Sequence, residues 1–288
     1  AARHQQFVRI RGQQLQSRPG IGRLISVFVE GIGLGGPGLQ GWSASRAVLS
    51  GAEPYRPAAL SLAANDLLPT AERPGAGLPV KLALAVAGEA FEHASRDPAS
   101  TATVFTSSSG DGENVHQIFE TLATDERQIS PTRFHNSVHN AAAGYWSIAT
   151  RSHAASTSLC GYDASFAAGL LDAAAQVSAE DAPAALVAYD QPYPQPLHAK
   201  RPLAGSFGVA LVIAPGATPR AIARVDLELT TGAKATTELD DPGLESLRVG
   251  VPAARSLPLL AALARNSTRV IRLQHGARQL ELTVTPCP

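Results

Sequence analysis

The sequence predicts an α/β fold with a sheet covered on both faces. Strand-like and helix-like segments alternate from Ile25 onward. Several of the strand-like segments are apolar throughout, the mark of strands buried on both sides. The 288 residues suit one large α/β domain or two modest ones.

The elements follow in order. Residues 1–24 read as a polar leader rich in Arg and Gln, with a turn signal at Pro19-Gly20. Ile25 to Ile32 is β-rich, and EGIGLGGPGLQG (Glu30 to Gly41) reads as a glycine-rich turn. Ser43 to Leu49 is a short helix, and the many Pro and Gly residues of 51–77 give an irregular loop. LPVKLALAVAGEAFEHAS (Leu78 to Ser95) is a long apolar helix with Pro79 in its first turn, where proline is tolerated. A strand at Thr101 to Ser107 leads into the turn SSGDG. Helices are expected at Asn114 to Leu122 and Asn136 to Thr150, then a short strand at Ala155 to Leu159. Tyr162 to Val177 is apolar enough to be a helix buried on all sides. Ala184 to Tyr189 and Phe207 to Ile213 are buried strands separated by a Pro-rich loop. Ala221 to Leu229 is a further strand. A polar loop, a helix (Leu257 to Arg265) and a hairpin turning at Gly276 complete the chain.

Composition excludes several function classes. With 24 basic and 24 acidic residues the net charge is zero, so there is no basic footprint for nucleic acid. No apolar run approaches the ~20 residues of a membrane span, and runs such as Leu82 to Ala87 are far shorter. Two cysteines, Cys160 and Cys287, cannot build a disulfide framework. The N-terminal stretch lacks the apolar segment of a secretory signal, so a cytoplasmic location is expected. Methionine is absent, and lysine occurs only at 81, 200 and 234. With the heavy use of Ala and Leu, this suggests a GC-rich bacterial gene.

Several motifs carry chemistry. Gly31, Gly33 and Gly36 satisfy G-x-G-x-x-G after a strand, which admits a nucleotide-binding module. Against it, Pro37 and Gly38 interrupt the place where the helix should start. His135 and His139 are four apart, a spacing that serves zinc sites, but no Glu or Cys accompanies them, and no metal or cofactor is expected. Ser108-Ser109-Gly110-Asp111-Gly112 lacks the lysine of a phosphate loop and reads as a turn lining a cleft. There is no G-x-S-x-G elbow. Cys160 stands where the strand ASTSL ends and the apolar helix begins. There the helix dipole would favour a thiolate nucleophile. The alternative is an inert, packed cysteine.

Taken together, these segments resemble the β-ketoacyl synthase family. VFVEGIGLGGPGLQGWSASRAVLSGAEPYRPA is similar to the opening of that family, and LPVKLALAVAGEAF to the helix that follows. TVFTSSSGDG resembles the next strand and its glycine turn. HNSVHNAAAGYWSIATRSHAASTSLCGYDASFAAGLLDAAAQV resembles the stretch carrying the active-site cysteine. AALVAYD and SFGVALVIAP resemble the strands closing the first half of the thiolase fold. The resemblance implies a thiolase-like layered fold, with a complete first half over residues 25–220 and a strongly shortened second half over 221–288. It implies Cys160 as the acyl-accepting nucleophile, with Tyr162, Asp163, Ser108 and Ser109 along the substrate channel. The family's two histidine motifs do not occur downstream. His198 and His275 are the histidines that remain there, and Tyr162 and Asp163 replace the small residues usual after the cysteine. The resemblance is therefore to the short ketosynthase-like, chain-length-factor type of subunit of aryl-polyene pathways. Such a subunit implies two partners, a complete ketosynthase in a heterodimer and an acyl carrier protein. An acyl-thioester enzyme working through Cys160 is the alternative.

Overall fold

The computed structural model describes residues 24–62, 67–232 and 234–288. The leader expected at 1–24 falls, except for Leu24, outside the described residues. One mixed sheet organises the chain. Strand β1 (Ile25–Gly36) is followed by the short β2 (Leu39–Gln40), helix α1 (Trp42–Ser50), helix α2 (Leu78–Ala94) and β3 (Ala102–Thr106). Helices α3 (Gly112–Leu122), α4 (Pro131–His135) and α5 (Ala141–Thr150) precede β4 (Ser156–Leu159). After a 3₁₀ turn at Tyr162–Ala164 come α6 (Ser165–Glu180), β5 (Ala184–Asp190), α7 (Leu197–Lys200), β6 (Phe207–Ala214) and β7 (Ala223–Thr230). Helix α8 (Pro242–Gly250), a 3₁₀ turn at Ala253–Ser256, α9 (Leu257–Arg265) and the hairpin β8 (Arg269–His275) and β9 (Arg278–Pro286) end the chain.

The strand order is β4-β3-β5-β6-β1-β7-β9-β8, with β2 folded back on β1. Strand β3 runs parallel to β4 and β5, and the remaining neighbours are antiparallel. Two cores flank the sheet, and the period of two along a strand divides them. Ala184, Leu186 and Ala188 of β5 and Phe207, Val209, Leu211 and Ile213 of β6 face the core shared with α6 and α9. Ala185, Val187 and Tyr189, with Ala210 and Val212, face the core shared with α2 and α5. Every residue of β5 and β6 is buried, as their unbroken apolar runs predict.

Four expectations change. The expected turn at Glu30 to Gly41 is, up to Gly36, a continuation of β1. Helix α6 begins at Ser165 rather than Tyr162 and is buried on one face only. Ala175 is exposed and Asp172 and Gln176 are half-buried, so alanines on the outer face made it look wholly apolar. The helix expected from Asn136 starts at Ala141, and the polar stretch before Leu257 contains α8. The side chain of Asp241 caps α8 through Gly243 N and Leu244 N at 2.8 and 3.0 Å, with Pro242 at the first helical position.

Candidate functional site

The glycine segment is a packing device. A Cβ on Gly31 would lie 2.1 Å from Ala90 O, and one on Gly33 would lie 1.9 Å from Val86 O. Bare backbone at these two positions lets α2 rest directly on β1. Side chains of α2 then take up amides of β1. Ile32 N donates to His93 Nδ1 at 3.2 Å, and Leu34 N donates to Glu89 Oε2 at 2.9 Å. The other oxygen of Glu89 accepts from Trp42 N at 2.5 Å, at the start of α1. The N-terminus that a pyrophosphate would need is therefore already held by a carboxylate. This overturns the nucleotide-binding reading of Gly31, Gly33 and Gly36.

The candidate site lies elsewhere, where the parallel strands β4, β3 and β5 end side by side. Ligands in α/β sheets bind outside the carboxyl ends of such strands. Here those ends deliver Cys160, the loop Ser107–Gly110 and Asp190. Asp190 is 1% exposed and organises the floor. Its Oδ1 accepts from Ser108 N at 2.8 Å, Ser108 Oγ at 2.7 Å and Ser107 Oγ at 3.4 Å. Its Oδ2 accepts from Ala253 N at 2.8 Å, tying the floor to the 3₁₀ turn before α9. Burial pushes this carboxyl up to about 6, and the four hydrogen bonds only partly offset it. Ser108, whose N–H and hydroxyl grip Asp190, offers its carbonyl on the other side to Cys160 Sγ at 3.6 Å.

Cys160 is exposed, one residue beyond the end of β4. The strained turn at the head of α6 belongs to its neighbour but one. Tyr162 has φ 55°, a left-handed backbone that costs a side-chain-bearing residue about 1–2 kcal/mol. Its ring is exposed, and the guanidinium of Arg201 sits 3.4 Å from the ring centroid. Arg201 also donates to Asp163 Oδ1 at 3.1 Å, while Arg255 reaches Asp163 Oδ2 at 3.2 Å. The two residues after Gly161 are thus stacked and ion-paired.

The structure brings Cys160, Ser108, Tyr162 and Asp163 together. Ser109 lies on the same loop, where its amide donates to Ser107 Oγ at 3.3 Å. The histidines do not join Cys160. His198 is in α7 and His275 ends β8; each has a buried Nδ1 without a hydrogen-bond partner among the described residues, and neither bonds to Cys160. His139, by contrast, meets the carbonyl of Ser107 through Nε2 at 3.0 Å. His135 stacks edge-on against Tyr145, so the two histidines at the four-residue spacing serve different elements. Sequence reasoning missed Asp190, Arg201 and Arg255. Asp190 had a signal, an acid ending a wholly apolar strand, whereas the two arginines had none.

A family model described as "Beta-ketoacyl synthase, N-terminal domain" matches residues 53–277, more than three quarters of the chain. Among solved structures, a chain of a ketosynthase in complex with its chain length factor from Xenorhabdus doucetiae aligns with TM-score 0.65 and 23% identity. That alignment covers 90% of this chain and 99% of that one. The ishigamide ketosynthase/chain length factor aligns with TM-score 0.65 and 14% identity, over 90% and 98%. A β-ketoacyl synthase from Burkholderia phymatum aligns with TM-score 0.67 and 12% identity, over 92% and 100%. At these identities the likeness is one of fold. No curated protein sequence matches the chain.

Proposed function

The chain belongs to the β-ketoacyl synthase family, and we propose that it serves there as a partner subunit of the chain-length-factor type. In this reading it pairs with a complete ketosynthase and shapes the path of a growing acyl chain carried by an acyl carrier protein, as in aryl-polyene assembly. The observation that carries the proposal is the head of α6. A working synthase takes the acyl group onto a cysteine thiolate, expels the carrier's thiolate, and uses histidines to stabilise the charge of the decarboxylating extender. Here the strained turn residue is Tyr162, packed on Arg201, and among the described residues no histidine is hydrogen-bonded to Cys160.

The partner would meet the chain along β4. That strand is an edge of the sheet, pairing with β3 alone among the described residues. Nearby α5 exposes Ile148, and the α4–α5 segment exposes Phe134 and Val138, an apolar surface beside a free strand edge. The test is intact mass after mixing the chain with an acyl-loaded carrier protein, wild type beside Cys160→Ala. The proposal expects no acyl adduct on either. An adduct on the wild type that vanishes in Cys160→Ala would replace it with an acyl-thioester enzyme. Coexpression with a complete ketosynthase, followed by size exclusion, should give a stable pair.

A further inference from the structure

A pocket of about 160 Å³ opens behind the Tyr162–Ala164 turn, where α6 begins. Three guanidiniums line it from three separate elements: Arg248 from α8, Arg255 from the 3₁₀ turn before α9, and Arg272 from β8. Asp163 is the one acid on the wall, and Phe166 and Ala167 of the first turn of α6 form the floor. No side chain caps α6. Arg248 is oriented from behind by Glu245 at 2.5 and 2.7 Å, and Arg272 by Glu281 at 2.8 Å. Arg255 uses Nη2 on Asp163, but its Nε is buried with no acceptor among the described residues. The lining is cationic, its arginines are held in place from behind, and the helix end contributes a partial positive charge.

We propose that this pocket is an anion site for a phosphoryl group. Three arginines of one lining keep guanidinium N–H groups that Glu245, Glu281 and Asp163 do not take, and a tetrahedral phosphate has three free oxygens to accept from them. A carboxylate offers two oxygens in one plane, one fewer than a phosphate monoester offers to the three arginines. The pocket has room for a phosphate with its waters. Free phosphate and a phosphate monoester share this chemistry. The inference is independent of the partner-subunit reading, because it requires neither Cys160 nor a second chain.

The test is calorimetric titration of the full chain with inorganic phosphate, and separately with methyl phosphate, at constant ionic strength set with chloride. The expected result is saturable one-site binding, weakened at least tenfold in Arg255→Gln and in Arg272→Lys. Arg272→Lys keeps the charge facing Glu281 but loses the fork. Arg224→Gln, on β7 outside the pocket, should bind as wild type. Binding of both probes assigns a monoester, and binding of inorganic phosphate alone assigns the free ion. Absence of saturable binding to wild type overturns the proposal, as does an equal affinity in wild type and Arg272→Lys. If Arg255→Gln does not fold, the comparison of Arg272→Lys with Arg224→Gln decides on its own.

Discussion

Two glycine-bearing segments stand out in the sequence, Gly31–Gly36 and the Cys160-Gly161 turn before α6, and the structure gives them opposite uses. In the first, β1 lies at the centre of the sheet, glycine lets a helix touch a strand, and α2 side chains take up the amides of Ile32 and Leu34. In the second, the thiol is exposed, a tyrosine holds a left-handed backbone, and guanidinium nitrogens of Arg201 and Arg255 lie buried without partners among the described residues. A segment whose polar groups are already taken has nothing left for a ligand. Strain and unspent hydrogen-bonding capacity distinguish the other, where the candidate site is proposed.

Replacing a glycine of β1 should break the comparison most severely. Gly33→Ala places a carbon against the carbonyl of Val86, a helix backbone atom that cannot rotate away. Overpacking of this kind costs about 1–3 kcal/mol and sometimes more, and here α2 must lift from a central strand. Thermal unfolding should show the largest loss of stability among these variants, and soluble yield should fall with it. A Gly33→Ala protein as stable as wild type would mean that α2 and β1 are not in this contact.

Asp190 comes next, because it fixes the floor of the site. Asp190→Ala removes the acceptor for Ser108 N and Ala253 N, and a buried orphaned donor costs about 1–3 kcal/mol. The pH dependence has the opposite sense to that of an ordinary ion pair. The folded pKa of about 6 lies above the unfolded value near 3.8. The folded state therefore binds the proton more tightly. The resulting stabilisation is fully present below pH ~4 and is lost as pH rises through ~6, an amplitude of about 3 kcal/mol at 1.36 kcal/mol per unit. Denaturant unfolding at pH 5 and pH 7 should show this component in wild type and lack it in Asp190→Asn.

The same contrast explains what could be read in advance. Strands β5 and β6 were legible because burial on both faces leaves an unbroken apolar run. The end of β1 was not, since glycine is the usual punctuation of a turn, and only the distant backbone of α2 gives it another purpose. Helix α8 was missed although Asp241-Pro242 is a cap followed by a first-turn proline, because its polar residues outweighed Leu244 and Leu247. At the candidate site, the place of Cys160 just after a strand was legible from the segment ASTSL that ends before it. Arg201 and Arg255 were not, being brought to Asp163 from elements that follow it by tens of residues.

Cys160→Ala should leave stability within about 0.5 kcal/mol, as expected for an exposed side chain that is not part of the packing. It therefore serves as the clean control for acylation.

The last comparison isolates the strain itself. Tyr162 contributes a cation–π contact with Arg201 worth about 0.5–1 kcal/mol at an exposed site, while its φ of 55° costs a comparable amount. Tyr162→Gly loses both and should unfold within about 0.5 kcal/mol of wild type. Tyr162→Ala loses the contact but keeps the strain, so it should be less stable than Tyr162→Gly by about 1 kcal/mol. The order matters more than either value. Glycine is normally the poorer residue, because it makes the unfolded chain freer, and it wins only where the native backbone is left-handed. Glycine above alanine in chemical denaturation places the strained residue at position 162, two residues past the thiol. Alanine equal to or above glycine would mean that the turn relaxes, and the argument that the strained position at the head of α6 belongs to Tyr162 rather than to Cys160 would fail with it.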